Sequence, residues 1–455
     1  MMRKNAVKII ILAAGKGTRM KSDIPKVFHS LGNRPMIEYV LDTAEELSPV
    51  DITLVVSPEM SSFLQKLESR PSLKIAVQEK QLGTGNAVLA ARENFKDFQG
   101  IILVLFGDTP LVTPHTLTRL LDIFENNSTT AVAILGTYPE DKTGYSRIQL
   151  KENGTVERLI EQKDASDKDL NIDFCNSGVL AIKGEKALDI LTKITPNNKA
   201  GEYYLTDTVP IANSMGFDVR VVEGDAFELM GINSQSHLTA AEATIQNQWR
   251  RHFLEQGVTL LDPSSVYFSY DTEIASECVI EPHVVFGLGV KVGKRVTIKS
   301  FSYLSETVLM EESKVGPFAH LRPGTVLHSK AHVGNFVEVK NSILKENVKA
   351  NHLSYIGDSE IGAETNIGAG TITCNYDGFA KNRTILGTNV FIGSNTSLVA
   401  PVTIGDGAIV GAGSVITKNV ESGALAIGRG DQKNIKEGAI RYREKQKKRH
   451  HKQTA

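Results

Sequence analysis

Ile274-Ala275-Ser276-Glu277-Cys278-Val279-Ile280-Glu281-Pro282-His283-Val284-Val285-Phe286 opens a run in which an apolar residue recurs every six positions, continuing through Val292, Ile298, Leu304 and Met310. A second phase carries the step through Val315, Leu321, Leu327, Val333 and Val339. Ile361 and Ile367 follow, then Ile392, Leu398, Ile404, Val410 and Ile416. Glycine follows many of these anchors, as in Val292-Gly293, Ile367-Gly368 and Ile404-Gly405. A six-residue period predicts a β-helix of hexapeptide repeats, each anchor pointing inward and stacking on its equivalent one coil away, about 4.8 Å along the axis. The interior is then filled, and Gly411 and Gly413 belong to the repeat. Breaks are expected around 342–351, at 372–386 and after Thr417, and breaks in a repeat are where function tends to sit.

Before this region the texture is different. Apolar runs at 52–56, 101–105 and 131–135 alternate with helical stretches such as 35–46, the pattern of a Rossmann-like α/β domain. Residues 234–255 read as one interdomain helix, with Ser234 as N-cap and Gly257 past its end. The expected domains are 1–232, a linker helix over 233–256, and the β-helix with a basic tail over 257–455.

At 455 residues the chain exceeds the size of one core. Its 51 lysines and arginines balance 52 acidic residues, so no nucleic acid or membrane surface is expected as partner, only small molecules. Cys175, Cys278 and Cys374 lie far apart and read as reduced and buried. The first apolar run is too short for a signal segment, and no later one approaches the roughly 18 residues of a membrane span, so a cytoplasmic chain without membrane insertion is expected. The tail from Lys445 to Ala455 reads as a solvated, disordered end.

The run Val7-Lys8-Ile9-Ile10-Ile11 leads into Leu12-Ala13-Ala14-Gly15-Lys16-Gly17-Thr18-Arg19-Met20 and then Pro25-Lys26. A buried strand breaking into a loop with Gly15 and Gly17 lets backbone N–H groups approach an anion, and Arg19 and Lys26 add positive charge. It is neither a Walker loop nor a dinucleotide fingerprint. A glycine pair that only closes a turn is the competing reading. Phe106-Gly107-Asp108-Thr109-Pro110 ends another strand with an aspartate suited to magnesium.

These segments together resemble the sugar-nucleotide pyrophosphorylases. The resemblance implies that the backbone of Leu12, Ala13, Ala14 and Gly15 holds a nucleoside triphosphate, with Arg19 and Lys26 catalytic at its phosphates. It further implies that Gln78, Gly83 and Thr84 read the base, that Gly144, Glu161 and Asn176 belong to the sugar-binding set with Tyr145 and Arg147, and that Asp108 and Asn233 bind Mg2+. Ser146 stands where a glycine is common in relatives, and Phe106 where tyrosine is frequent. The chemistry needs no general base, because a sugar phosphate has its second pKa near 6 and is already ionised when it attacks the α-phosphorus.

In the second half, Leu321-Arg322-Pro323-Gly324, Gly334-Asn335-Phe336-Val337-Glu338-Val339-Lys340 and 367–378 resemble the acetyltransferase half of the bifunctional bacterial N-acetylglucosamine-1-phosphate uridylyltransferases / glucosamine-1-phosphate N-acetyltransferases, a likeness spanning nearly the whole chain. A histidine can accept a proton near neutral pH, and His352 is the implied base, with Glu338 orienting it. By the same resemblance Arg322, Lys340, Tyr355, Asn366 and Lys381 hold the sugar phosphate, while Ala369, Asn375, Tyr376, Ser394, Ala412 and Arg429 contact acetyl-coenzyme A. UTP is the implied second co-substrate. Hexapeptide proteins of this kind are left-handed β-helices, usually trimers, which implies acetyltransferase sites between subunits. A β-helix serving only regulation, as in glucose-1-phosphate adenylyltransferases, is the alternative.

Overall fold

A computed structural model describes residues 5–64, 67, 70 and 73–453. The chain divides into two compact units, Met1–Arg251 and His252–Ala455.

In the first unit the main sheet runs in the order Asp218–Glu223, Thr130–Thr137, Cys175–Lys183, Ile101–Phe106, Val7–Leu12, Ile52–Val56, Leu73–Val77. All neighbours are parallel except Cys175–Lys183, which is antiparallel to both of its own. That reversal is absent from the sequence reading. It arises because the hairpin of Ser146–Leu150 and Val156–Ile160 returns the chain at the same end of the sheet, with no crossover between. Successive residues of Val7–Leu12 feed two cores. Ile9 and Ile11 join Leu54, Leu103 and Leu135, whereas Ile10 and Leu12 join Val55, Val104 and Ile134. Burial on both faces is why these strands read as continuous apolar runs. Leu12 is in register with Phe106, so the glycine loop and the Gly107-Asp108 turn leave the same end of adjacent strands.

The helix Gln235–Glu255 begins where Ser234 Oγ accepts from the His237 N–H at 3.3 Å, and the chain leaves it through Gly257 at φ +85°. Ala241 and Ile245 are buried with Leu31, Met36 and Ile232, and Trp249 packs against them. Most of this helix is therefore part of the first unit's core.

The second unit is a coil of three parallel sheets with 10, 8 and 8 strands. On one sheet the inward anchors pair coil by coil as Ile274, Val292, Leu309, Leu327, Leu344, Ile361, Leu386 and Ile404. The coils from Ile274 to Val292, from Leu309 to Leu327 and from Leu386 to Ile404 take 18 residues. Those from Val292 to Leu309, from Leu327 to Leu344 and from Leu344 to Ile361 take 17, and the coil from Ile361 to Leu386 takes 25. Met310 is thus not an anchor. It is 36% exposed while Leu309 is 1% exposed, because the first short coil shifts the phase by one residue. The expected break at 342–351 is likewise a one-residue contraction, with Leu344 and Ala350 fully buried in the stack. The long coil carries a true insertion between Cys374 and Thr384.

The corners need left-handed backbone, found at Glu312, Phe318, Lys330, Phe336, Asn347 and Leu353 among others. Such a conformation costs about 1–2 kcal/mol for a side-chain-bearing residue. Hydrogen bonds between coils offset it, as Phe318 N–H donates to Ser300, Phe336 N–H to Phe318, and Leu353 N–H to Asn335 at 3.0 to 3.1 Å. Past the coil, Gly438–Gln453 forms a helix, where a disordered end was expected. Its lysines, arginines and glutamines are good helix formers. Cys374 is half-buried rather than buried, and all three cysteines are free.

Candidate active sites

In the first unit the loop after Leu12 and the turn at Asp108 open into a cleft of about 520 Å³. It is lined by Leu12, Ala13, Ala14, Gly15, Arg19, Lys26, Gln78, Gly83, Thr84, Asp108, Gly144, Tyr145, Glu161, Asn176 and Asn233, so the residues expected at this site meet there with one exception. Arg147 does not line it. That side chain is buried and donates to the Lys142 carbonyl at 3.1 Å, bracing the loop from behind.

At one end of the cleft the Lys26 ammonium donates to Asp108 and, at 3.0 Å, to Asn233 Oδ1, which also accepts from Arg19 at 2.9 Å. Two hard oxygen donors therefore converge on one cation-sized position, a donor set that fits magnesium. The Ile232 N–H donates to the Asp108 carbonyl at 2.8 Å, tying the two donor segments together. Gln81 donates to the Ala14 carbonyl at 2.6 Å, and Gln78 to the Gly83 carbonyl at 3.1 Å and Asn86 Oδ1 at 2.9 Å. These bonds brace the glycine loop and the 81–85 turn against each other.

Around Glu161 the surroundings are acidic. Glu161 accepts from Thr206 at 2.9 Å. Burial, then the neighbouring Asp164 and Glu161 carboxylates, push the Tyr204 phenol up to about 12. Burial with the same two carboxylates raises Asp207. The cleft is polar along its length, cationic by the glycine loop and acidic by 161–164. His237, which the sequence reading missed, lines the cleft. Its Nδ1 lies 3.2 Å from the Gly231 carbonyl and 3.4 Å from the Asn233 amide. Only its spacing, four residues after Asn233 across a helix start, marked it.

In the second unit the expected residues sort onto two edges of the coil. Asn335 and His352 are register partners on adjacent coils. Two residues past the stacked anchors Ile367, Ile392 and Val410 stand Ala369, Ser394 and Ala412. Asn335, His352, Ala369, Ser394 and Ala412 thus climb a single edge, and three coil steps of about 4.8 Å separate His352 from Ala412. Arg429 reaches this edge above Gly413, its Cδ 4.0 Å from the position a Cβ would take there.

At the next edge Arg322 and Lys340 follow the paired anchors Leu321 and Val339. The insertion brings Lys381 against them, and this close cation, with Arg322 further off, pulls the Lys340 ammonium below the usual lysine range. Asp358 sits beneath, buried, accepting from Asn341 at 2.6 Å and Asn375 at 2.5 Å. Tyr355 Oη is 3.5 Å from the Asn375 amide. Tyr376 bridges to Lys381 and is exposed. Asn366 stands on a different sheet, in register with Lys349, and does not join this cluster. Glu338 does not orient His352. It pairs with Arg322 at 2.7 Å, and the partner of His352 Nδ1 is Asn335 Oδ1 at 2.8 Å. Glu338 lies past the Phe336 corner, on the next sheet face.

The MobA-like NTP transferase domain matches residues 9–144, and the bacterial transferase hexapeptide pattern of six repeats matches residues 383–418. The chain is 46% identical to the bifunctional protein GlmU of Paramagnetospirillum magneticum over 98% of each chain. It is also 46% identical to that of Zymomonas mobilis over 96% of this chain and 98% of the relative, and 45% identical to that of Bartonella quintana over 95% and 96%. The chain belongs to the bifunctional GlmU family. It therefore joins a nucleotidyltransferase to a left-handed β-helix of the hexapeptide acyltransferase class, and serves UDP-N-acetylglucosamine synthesis. A purely regulatory β-helix is set aside by a likeness that runs through both halves.

Proposed function

We propose that acetyl transfer from acetyl-coenzyme A to glucosamine-1-phosphate takes place on the edges of the β-helix and uridylyl transfer from UTP in the cleft of the first unit. The observation that carries the assignment is the arrangement of each site: a cleft in which the expected nucleotide-site residues meet around the Lys26, Asp108, Asn233 and Arg19 contacts, and a ladder of expected residues rising from His352.

In the cleft, the backbone of 12–15 and the side chains of Arg19 and Lys26 would face the triphosphate, Gln78, Gly83 and Thr84 the base, and Gly144, Glu161 and Asn176 the sugar hydroxyls. The charges of Arg19 and Lys26 support placing the phosphates beside them. Asp108 and Asn233 would hold Mg2+. Among the described residues no three His, Cys, Asp or Glu side chains converge as an ion cage, so phosphates and water would complete its shell. When bound, the ion supplies charge neutralisation at the transferring phosphoryl group. Lys26, now on Asp108, would turn to the phosphates.

On the β-helix, Arg322, Lys340 and Lys381 would hold the sugar phosphate with Tyr355, Asn366 standing apart on another sheet, while Ala369, Asn375, Tyr376, Ser394, Ala412 and Arg429 would follow the coenzyme up the edge. His352 would take the proton from the amine as its nitrogen attacks the thioester carbonyl, the C–S bond breaks and the thiolate leaves. Arg322 and His352 leave from different edges, and the exposed ridge described below runs up to His352. Both support a trimer whose sites lie between subunits. No described helix is long and apolar enough to cross a membrane, and a cytoplasmic location belongs to this reading because the substrates, UTP and acetyl-coenzyme A, are small anionic metabolites.

The test follows free thiol and pyrophosphate separately from glucosamine-1-phosphate, acetyl-coenzyme A, UTP and magnesium. Wild-type protein should release both, with pyrophosphate requiring the acetylated sugar. His352→Ala should lose thiol release by about 10²–10⁴-fold and keep pyrophosphate release from supplied N-acetylglucosamine-1-phosphate. Equal loss of both in a folded protein would sink the two-site assignment.

A further inference from the structure

A histidine base is useful only in one of its two neutral forms. To take a proton at Nε2, His352 must carry its own proton on Nδ1, and what fixes that choice is the group facing Nδ1. Here that group is Asn335 Oδ1, at 2.8 Å. An amide oxygen can only accept, so Nδ1 is the donor and the Nε2 lone pair is left free. We propose that Asn335 is the positioning residue of the acetyl-transfer base, holding His352 in its Nδ1–H tautomer with Nε2 open to the attacking amine. The inference rests on the reading of His352 as that base.

The fold makes the contact hard to lose. Asn335 and His352 are paired residues at the ends of the strands His332–Asn335 and Lys349–His352. The next residue on each coil, Phe336 and Leu353, is a left-handed corner, and the Leu353 N–H donates to the Asn335 carbonyl at 3.1 Å. At the preceding position Gly334 lets the coils close, since a Cβ there would run into the Asn351 backbone. The backbones below the two side chains are thus locked together, and the side chains leave in parallel from one edge.

The chemistry of a neutral partner suits the reaction. A carboxylate at Nδ1 would stabilise the imidazolium, as in a serine hydrolase triad. Here the proton taken from the amine must be handed on within the same turnover, to the thiolate released as the C–S bond breaks. A carboxamide sets the same tautomer as the triad carboxylate does, without a charge. Glu338, which the resemblance placed at His352, is spent on Arg322.

The tautomer can be read without turnover. Full-length protein labelled with [13C,15N]histidine, with the His352 signals assigned by their absence in His352→Gln, should show Nδ1 protonated and Nε2 bare. Asn335→Ala should move His352 to a form with the proton on Nε2. It should also lower kcat for acetyl transfer by about 10²-fold, with KM for both substrates within a factor of about two and the melting temperature unchanged. Asn335→Asp keeps an acceptor at Nδ1 and should restore the Nδ1–H form and part of kcat. An Nε2-protonated His352 in the wild type, an unchanged tautomer in Asn335→Ala, or an effect confined to KM would overturn the proposal. Failure of the base reading looks different: His352→Gln would keep its acetyl-transfer rate, whatever the tautomer.

Discussion

Lys26 reaches Asp108 and Asn233 at once, and that single side chain explains why sequence reasoning could find the cleft but not its geometry. Asp108 and Asn233 are 125 positions apart, and only the strand register and the Ile232 to Asp108 backbone bond bring them together. Asp108→Ala leaves the Lys26 charge without its partner and removes a hard oxygen ligand. Uridylyl transfer should fall by at least about 10²-fold, with free-thiol release unchanged. Full magnesium-dependent pyrophosphate release in that variant would count against the metal assignment. The cysteines give a second check. Burial pushes the thiols of Cys175 and Cys278 up from their ordinary range, which lowers their thiolate fraction at any pH below it. At pH 8 an aromatic disulfide reagent should react with one thiol per native chain, Cys374, and with all three after denaturation. Rapid labelling of two or three in the native protein would show that the buried sites open.

At the scale of the elements, the six-residue period was legible because each inward anchor must be apolar, whatever its neighbours. The contractions were not, because a coil can omit one residue at a corner and keep its stack. The resulting slip leaves two adjacent apolar residues, Leu309 and Met310, of which the unbroken six-residue step picks the wrong one. Burial does. Leu309→Ala should destabilise the β-helix by about 2–5 kcal/mol, whereas Met310→Ala should stay within about 0.5 kcal/mol. Urea denaturation followed by circular dichroism distinguishes them, and equal losses would contradict the register. The antiparallel strand Cys175–Lys183 was hidden for a related reason. An apolar run records burial on two faces but not its direction.

Across the whole molecule the β-helix exposes an apolar ridge. His283, Phe301, Phe318 and Phe336 stack ring on ring with centroids 4.8 to 5.1 Å apart, and Leu353 continues the corner beside His352. Phe336 and Leu353 are 55% and 61% exposed. A continuous apolar strip of this kind on one chain favours a covering partner, and the proposed trimer would supply one. Phe318→Glu should then reduce the mass in solution from a multiple of 49.6 kDa to a single chain, measured by light scattering. Acetyl transfer should be lost with the assembly while uridylyl transfer persists. An intact assembly in this variant would place the contact on another face.

The sequence by itself determined the two architectures and the nucleotide loop, because these depend on local constraints: periodicity, glycine where backbone must approach closely, and charge beside an anion; the base, sugar and second metal positions of the cleft came from the family resemblance. Tertiary structure alone decided which side chains meet across the coil. Glu338 and Asn335 are both close to His352 along the stack, but a left-handed corner at Phe336 turns one toward Arg322 and leaves the other beneath the imidazole. Partner choice there follows from coil register and corner position, quantities set by the sum of coil lengths rather than by any short segment.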